Sequence, residues 1–224
     1  RKLQLDKIHL DRQALERNVR QLRQVVFEMT QLCNLNCDYC SYSGDYKYHR
    51  THSDLSITFE TAKKAIDYIF QLLEPRNEKS LGFGFYGGEP LLQFDTMKQI
   101  AEYAIAKFDG WDIRFSITTN GTRFSDEIID WLIGHQVDIT LSLDGPKNNH
   151  DAKRKFHNGA GSFDSVMAGL NKIKDKDESY YTGKLAFNIT YSNDLSLSDI
   201  ISFFRDNTLV NRNTVRFTHV NLLD

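Results

Sequence analysis

At 224 residues, 40% apolar and 26% charged, the chain has material for one large core and too little for two separate ones. A net charge of −2 and no run of Lys or Arg exclude a general affinity for polyanions, so no nucleic-acid partner is expected. No apolar stretch approaches the roughly 20 residues that span a bilayer and no signal-peptide pattern opens the chain, so no membrane partner is expected either, and a cytoplasmic setting that keeps thiols reduced is.

In chain order, a charged segment over Asp11 to Arg23 reads as a helical lead-in, and Gln24 to Met29 is apolar and β-favouring, the first strand. Thr58 is placed to cap a helix in which Ala62, Ala65, Ile66, Ile69 and Leu73 recur at helical spacing until Pro75 stops it. Lys79 to Tyr86 is the second strand, Asp95 opens a second helix with Met97, Ile100, Ala101, Ala104 and Phe108 on one stripe, and Ile113 to Thr118 is the third strand. Ser125 caps the next helix. Val137 to Leu143, Leu185 to Tyr191 and Val215 to Val220 complete six strands, with helices over Phe163 to Ile173 and Leu197 to Phe204 between them and His150 to Lys155 left as polar loop. Strands and helices that alternate without hairpin signals imply right-handed βαβ units, hence an α/β fold in which six parallel strands curl into a partial (β/α)6, TIM-like barrel. Residues 1–23 are the lead-in segment and residues 24–224 the barrel domain.

Cys33, Cys37 and Cys40 are the only cysteines, and they fall in the stretch CNLNCDYC directly after the first strand. Broken by Asn34, Asn36 and Asp38, they do not read as core packing, and an odd count gives no disulfide framework. Three thiolates anchor an iron-sulfur cluster and leave one iron without a protein ligand, open to an exogenous molecule. The competing reading is a structural zinc site closed by His49 or His52.

In such a barrel the loops after the strands form the active face. The glycine-rich and polar punctuation falls there: Gly87-Gly88-Glu89-Pro90 after the second strand, Thr119-Asn120-Gly121-Thr122 after the third, Asp144-Gly145-Pro146 after the fourth. Gly87 and Gly88 let a ligand lie against backbone, and Glu89 adds a carboxylate, a combination suited to an ammonium group. Ser142 offers a hydroxyl and Arg154 a two-pronged contact for a carboxylate. Asn120 and Asp144 are either site residues or turn formers before glycine. Tyr39 is suited to stack on a flat ring or to shield the cysteines from water.

CNLNCDYC together with FYGGEP resembles the cysteine and GGE motifs of the radical S-adenosylmethionine enzymes. TTNGT, SLDGP, HDAKR and GAGSFDSV extend the resemblance over roughly residues 24 to 220, toward the peptide and protein maturases that carry a cysteine-rich (SPASM-type) extension. The resemblance implies a four-iron four-sulfur cluster on Cys33, Cys37 and Cys40, with S-adenosylmethionine chelating the open iron. It implies that Gly87, Gly88 and Glu89 receive the amino group, that Ser142 and Arg154 bind the cofactor's polar parts, and that Tyr39 lies near the adenine. It further implies reductive cleavage to a 5′-deoxyadenosyl radical, with electrons from a flavodoxin or ferredoxin type of reductant. The expected substrate is a ribosomally made precursor peptide or protein, and the expected product a thioether or other crosslink. Maturation of a sulfatase to its formylglycine form is the alternative within the class, and a non-catalytic metal-binding interaction module the alternative outside it. No cysteine follows Cys40, so the chain is expected to be truncated before that extension or to work without auxiliary clusters.

Overall fold

The computed structural model describes residues 12–43, 46 and 49–220. The helical lead-in is seen as α1 (Arg12–Val19), shorter than the sequence suggests, while residues 1–11 of the lead-in and residues 221–224 of the barrel domain lie outside the described part. The chain continues through β1 (Gln24–Thr30), β2 (Leu35–Cys37), α2 (Phe59–Leu73), β3 (Ser80–Gly87), a short 3-10 helix (Pro90–Gln93), α3 (Phe94–Lys107) and β4 (Asp112–Thr119). It ends with α4 (Asp126–Gly134), β5 (Asp138–Ser142), α5 (Lys147–Lys153), β6 (Arg154–Phe156), α6 (Phe163–Lys176), α7 (Glu178–Lys184), β7 (Leu185–Tyr191), α8 (Leu197–Asp206) and β8 (Thr214–His219).

Six strands form one sheet in the order β1-β3-β4-β5-β7-β8, every pairing parallel, which is the partial barrel expected. The helix starts follow from local chemistry. Thr58 Oγ1 accepts the Thr61 N–H at 3.2 Å to open α2, and Ser125 Oγ accepts the Ile128 N–H at 3.3 Å to open α4. The predicted strand bounds shift by one or two residues at most.

The alternation inside each strand decides which face is filled. Phe27, Phe83, Phe85, Phe115, Ile117, Leu141 and Phe187 are buried against the helices, and Phe83 stacks between Phe27 and Phe115 at centroid distances of 6.2 Å and 6.2 Å. The opposite, concave face carries Gly84 beside Ser116, Thr118 beside Thr140, and Ser142 beside Asn188. A parallel sheet packed on both faces reads as continuous apolar runs, so this alternation marks a concave face left polar and unfilled.

The short 3-10 helix, helix α7, and the small strands β2 and β6 are additions to the elements expected from the sequence. The segment read as polar loop is α5 followed by β6, and β6 pairs antiparallel with β2 so that Cys37 lies opposite Arg154. The pairing joins residues far apart in the chain and has no hairpin to announce it. Among the described residues, no helix is long and apolar enough to cross a membrane.

Candidate active site

At the carboxyl ends of the strands lies a cavity of about 350 Å³. Cys33, Cys37 and Cys40 line it together, with Gly87 and Gly88 from β3, Asn120 after β4, Ser142 at the end of β5, and Arg154 and Tyr39. Of the candidates read from the sequence, Glu89, Asp144 and the alternative zinc ligand His49 do not line it, while His52 does. Tyr86, which stands in FYGGEP without being singled out, lines it too, as do Asn188 and Thr190, for which parity on the concave face is the available signal.

Gly87 and Gly88 bring the second loop against the cysteine loop. A Cβ at Gly88 would stand 2.1 Å from the Leu32 carbonyl oxygen, and one at Gly87, whose φ is +140°, 2.4 Å from that of Thr30. Only glycine permits this approach. The Gly88 N–H then donates to Thr30 O at 2.7 Å and the Glu89 N–H to Leu32 O at 2.9 Å, fixing where the cysteine loop begins.

Glu89 is fully buried and turned away from the cavity. Its carboxylate accepts from the Thr119 hydroxyl at 2.7 Å, the Asn120 N–H at 2.8 Å and the Leu91 N–H at 3.1 Å, tying the ends of β3 and β4 together. Burial pushes its pKa up, and those three donors oppose the rise.

Asp144 plays the same part on the other side. It is fully buried and accepts from Arg154 Nε at 2.7 Å and Nη2 at 3.3 Å, from the Thr190 N–H at 2.9 Å, and from the Tyr39 hydroxyl. Arg154 also donates from Nη2 to the Thr190 hydroxyl at 3.3 Å, and Nη1 lies 4.0 Å from Cys37 Sγ. Its guanidinium carbon sits 5.2 Å from the Tyr39 ring centroid. Burial alone would lower the Arg154 pKa, but Asp144, Tyr39 and Cys37 outweigh it and leave the pKa raised, so the cation is permanent.

Each cysteine sulfur has a side-chain nitrogen near it. Asn120 Nδ2 is 3.8 Å from Cys33 Sγ, Arg154 Nη1 faces Cys37, and His52 Nε2 is 3.5 Å from Cys40 Sγ. Burial pushes the Cys33 thiol up to about 12, against the Leu35 N–H, and the Cys37 thiol up to about 11, against the Arg154 charge. These two thiols are therefore protonated at neutral pH until a cation displaces the proton.

The donor set fits a cluster better than a single ion. Among the described residues no three His, Cys, Asp or Glu side chains converge as the ligands of one metal ion must, and His49 is exposed beside Tyr46. A cluster that takes each cysteine on a different iron asks for no such convergence, only for three sulfurs around one cavity.

Residues 27–205 match the Radical SAM superfamily. The chain belongs to that superfamily. Its members are radical enzymes that use a four-iron four-sulfur cluster and S-adenosylmethionine. Among curated relatives, the chain is 26% identical over 180 residues to the radical SAM cyclopropyl synthase TigE of Paramaledivibacter caminithermalis, covering 78% of this chain and 36% of that one. It is 30% identical over 144 residues to the serine-type anaerobic sulfatase-maturating enzyme of Bacteroides thetaiotaomicron, covering 64% of this chain and 34% of that one. Among solved structures it resembles native anSMEcpe with bound AdoMet, with a TM-score of 0.74 at 20% identity over 89% of this chain and 52% of that one, a likeness of fold. The chain thus spans about half or less of the length of these relatives.

Proposed function

We propose that residues 24–224 are the catalytic barrel domain of a radical SAM enzyme that acts on a side chain of a ribosomally made peptide or protein, forming a thioether or other crosslink. The observation that carries it is the meeting of three cysteine sulfurs, the Gly87-Gly88 backbone, the Ser142 hydroxyl and the Arg154 guanidinium around one cavity. In this reading Cys33, Cys37 and Cys40 hold the cluster, Gly87 and Gly88 face the amino group of S-adenosylmethionine, and Ser142 with Arg154 receives its carboxylate. When bound and reduced by a flavodoxin or ferredoxin type of donor, the pair supplies a 5′-deoxyadenosyl radical that removes a hydrogen atom from the substrate.

The chain's own part is to bind, orient and shield. Glu89 and Asp144 are positioning residues: the first locks the glycine loop to the end of β4, the second holds Arg154 and Tyr39 in place. Tyr39 and Tyr86 are aromatic walls of the cavity beside the cysteines. A cytoplasmic setting belongs to the same proposal, since free thiols must stay reduced.

A second reading is favoured by the relatives. Two of them are serine-type and cysteine-type anaerobic sulfatase-maturating enzymes, so oxidation of a sulfatase side chain stands beside crosslinking. Aldehyde reactivity separates the two: a crosslink and a serine-derived formylglycine both lose two hydrogens, but only formylglycine reacts with a hydrazide or hydroxylamine probe, and a peptide that has lost two hydrogens without that reactivity means a crosslink. For the shared chemistry, anaerobically reconstituted protein with dithionite is expected to turn S-adenosylmethionine into 5′-deoxyadenosine, and Cys37→Ala to stop it. Undiminished product from Cys37→Ala would refute the assignment.

A further inference from the structure

The side chain of Asn120 is held in one orientation by three hydrogen bonds with two neighbours, Thr122 and Asn34. Its Oδ1 accepts from the Thr122 N–H at 3.0 Å and from the Thr122 hydroxyl at 2.7 Å, while Nδ2 donates to Asn34 Oδ1 at 2.9 Å. Asn34 Nδ2 in turn donates to Thr122 Oγ1 at 2.8 Å, closing a ring of three bonds that all run the same way. Flipping the Asn120 amide would set its NH2 against the Thr122 N–H, two donors facing each other. The main chain is fixed as well, because the Asn120 N–H is held by the buried carboxylate of Glu89.

With three of its four amide bonds assigned, one Nδ2 hydrogen is left, and it faces Cys33 Sγ at 3.8 Å. The Leu35 N–H approaches the same sulfur at 3.5 Å. The other two sulfurs have different company. Cys37 faces the Arg154 cation, and Cys40 faces His52, whose Nδ1 is 2.9 Å from Gln31 O; a carbonyl only accepts, so the neutral ring turns a lone pair toward Cys40. Asn120 is thus a neutral donor that does not titrate, aimed at one sulfur.

We propose that Asn120 is a potential-setting residue: its N–H, directed at the sulfur of Cys33, stabilises the added electron and raises the reduction potential of the cluster. The inference rests on the cluster assignment of the proposed function. Its physical basis is general, since hydrogen bonds to the ligating sulfurs are among the factors that set iron-sulfur potentials, and outer groups that orient ligands tune the metal.

The test is a potentiometric titration of the anaerobically reconstituted chain, followed by electron paramagnetic resonance without S-adenosylmethionine, with iron and sulfide assayed in parallel. At the potential where the parent is half reduced, Asn120→Ala is expected to show the ratio of reduced to oxidised cluster lowered about tenfold, 59 mV for one electron. The shift is expected to be the same at pH 7 and pH 9. Thr122→Val breaks the same ring but keeps the main-chain N–H that orients Asn120, so its midpoint is expected to match the parent. An Asn120→Ala midpoint equal to the parent's, or an equal shift in Thr122→Val, would overturn the proposal. Should Asn120→Ala fail to assemble a cluster, Asn120→Leu, which has nearly the same size, loses the N–H and adds no charge, carries the comparison, and a midpoint at or above the parent's counts against the proposal. If the parent itself takes up no iron and sulfide, the cluster assignment fails before Asn120 is tested.

Discussion

The two faces of the sheet use the same strands for opposite ends. Toward the helices, Phe83 stacks with Phe27 and Phe115 in a closed core; one residue along, Gly84 and Ser116 leave the concave face open. In a closed eight-stranded barrel both faces are filled, the inner one by layers of branched side chains. Here the free energy of folding comes from one face, and the other is free to carry a site. At the boundary between them sit the buried carboxylates Glu89 and Asp144, which belong to the core by burial and to the site by what they hold.

Removing an aromatic ring from the filled face gives the largest expected effect. Phe83→Ala is expected to cost about 3–5 kcal/mol in urea unfolding, the usual loss for a buried Phe. A cost under about 1 kcal/mol would break the contrast.

The boundary is next. His150 is fully buried; its Nδ1 accepts the Asp144 N–H at 3.3 Å and its Nε2 meets Ser162 Oγ at 2.9 Å. The Ser162 hydroxyl hydrogen goes to Arg154 O at 2.8 Å, so Ser162 accepts from Nε2–H and the ring is neutral. Burial, with the Arg154 charge second, pushes the His150 pKa down to about 4. A histidine with a depressed folded pKa adds stability above its unfolded pKa near 6.5 and loses it as pH falls to about 4, because the unfolded chain binds the proton first. The expected contribution over that window is about 3 kcal/mol. Urea midpoints measured from pH 7 to pH 4 for parent and His150→Asn check it: the variant is expected to lose stability less steeply, and parallel curves would contradict the reading.

The smallest effect belongs to the open face. Ser116→Ala, which removes one acceptor for Gln24 Nε2 at 3.2 Å, is expected to stay within about 0.5 kcal/mol of the parent in the same assay.

Legibility in the sequence divides along local and distant causes. Thr58, Ser125 and Pro75 act on their own neighbours, and the helix starts and stop they imply are found in place. The six strands could be read because each carries its own alternation. Helix α7 carries one local signal, the Asp177 carboxylate that accepts the Tyr180 N–H at 2.8 Å, but its tyrosine hydroxyls are anchored by carbonyls of Val137 and Leu209, far along the chain. The same holds within the site. The three cysteines, the two glycines and Ser142 meet in one cavity, as their positions at or just after strand ends suggest, whereas Arg154 is brought there by the unannounced pairing of β6 with β2. That Glu89 and Asp144 turn inward depends on the Thr119 hydroxyl and the Thr190 N–H, partners on other strands; TTNGT contains Thr119 but does not say which carboxylate it meets, and no motif contains Thr190.

The central claim is that three sulfurs hold a cluster whose remaining iron is open to S-adenosylmethionine. The most direct measurement is the electron paramagnetic resonance spectrum of the reduced, reconstituted protein before and after S-adenosylmethionine is added. A four-iron four-sulfur signal that changes shape on addition is expected. A colourless protein holding one zinc, or a cluster signal that S-adenosylmethionine leaves unmoved, would contradict it.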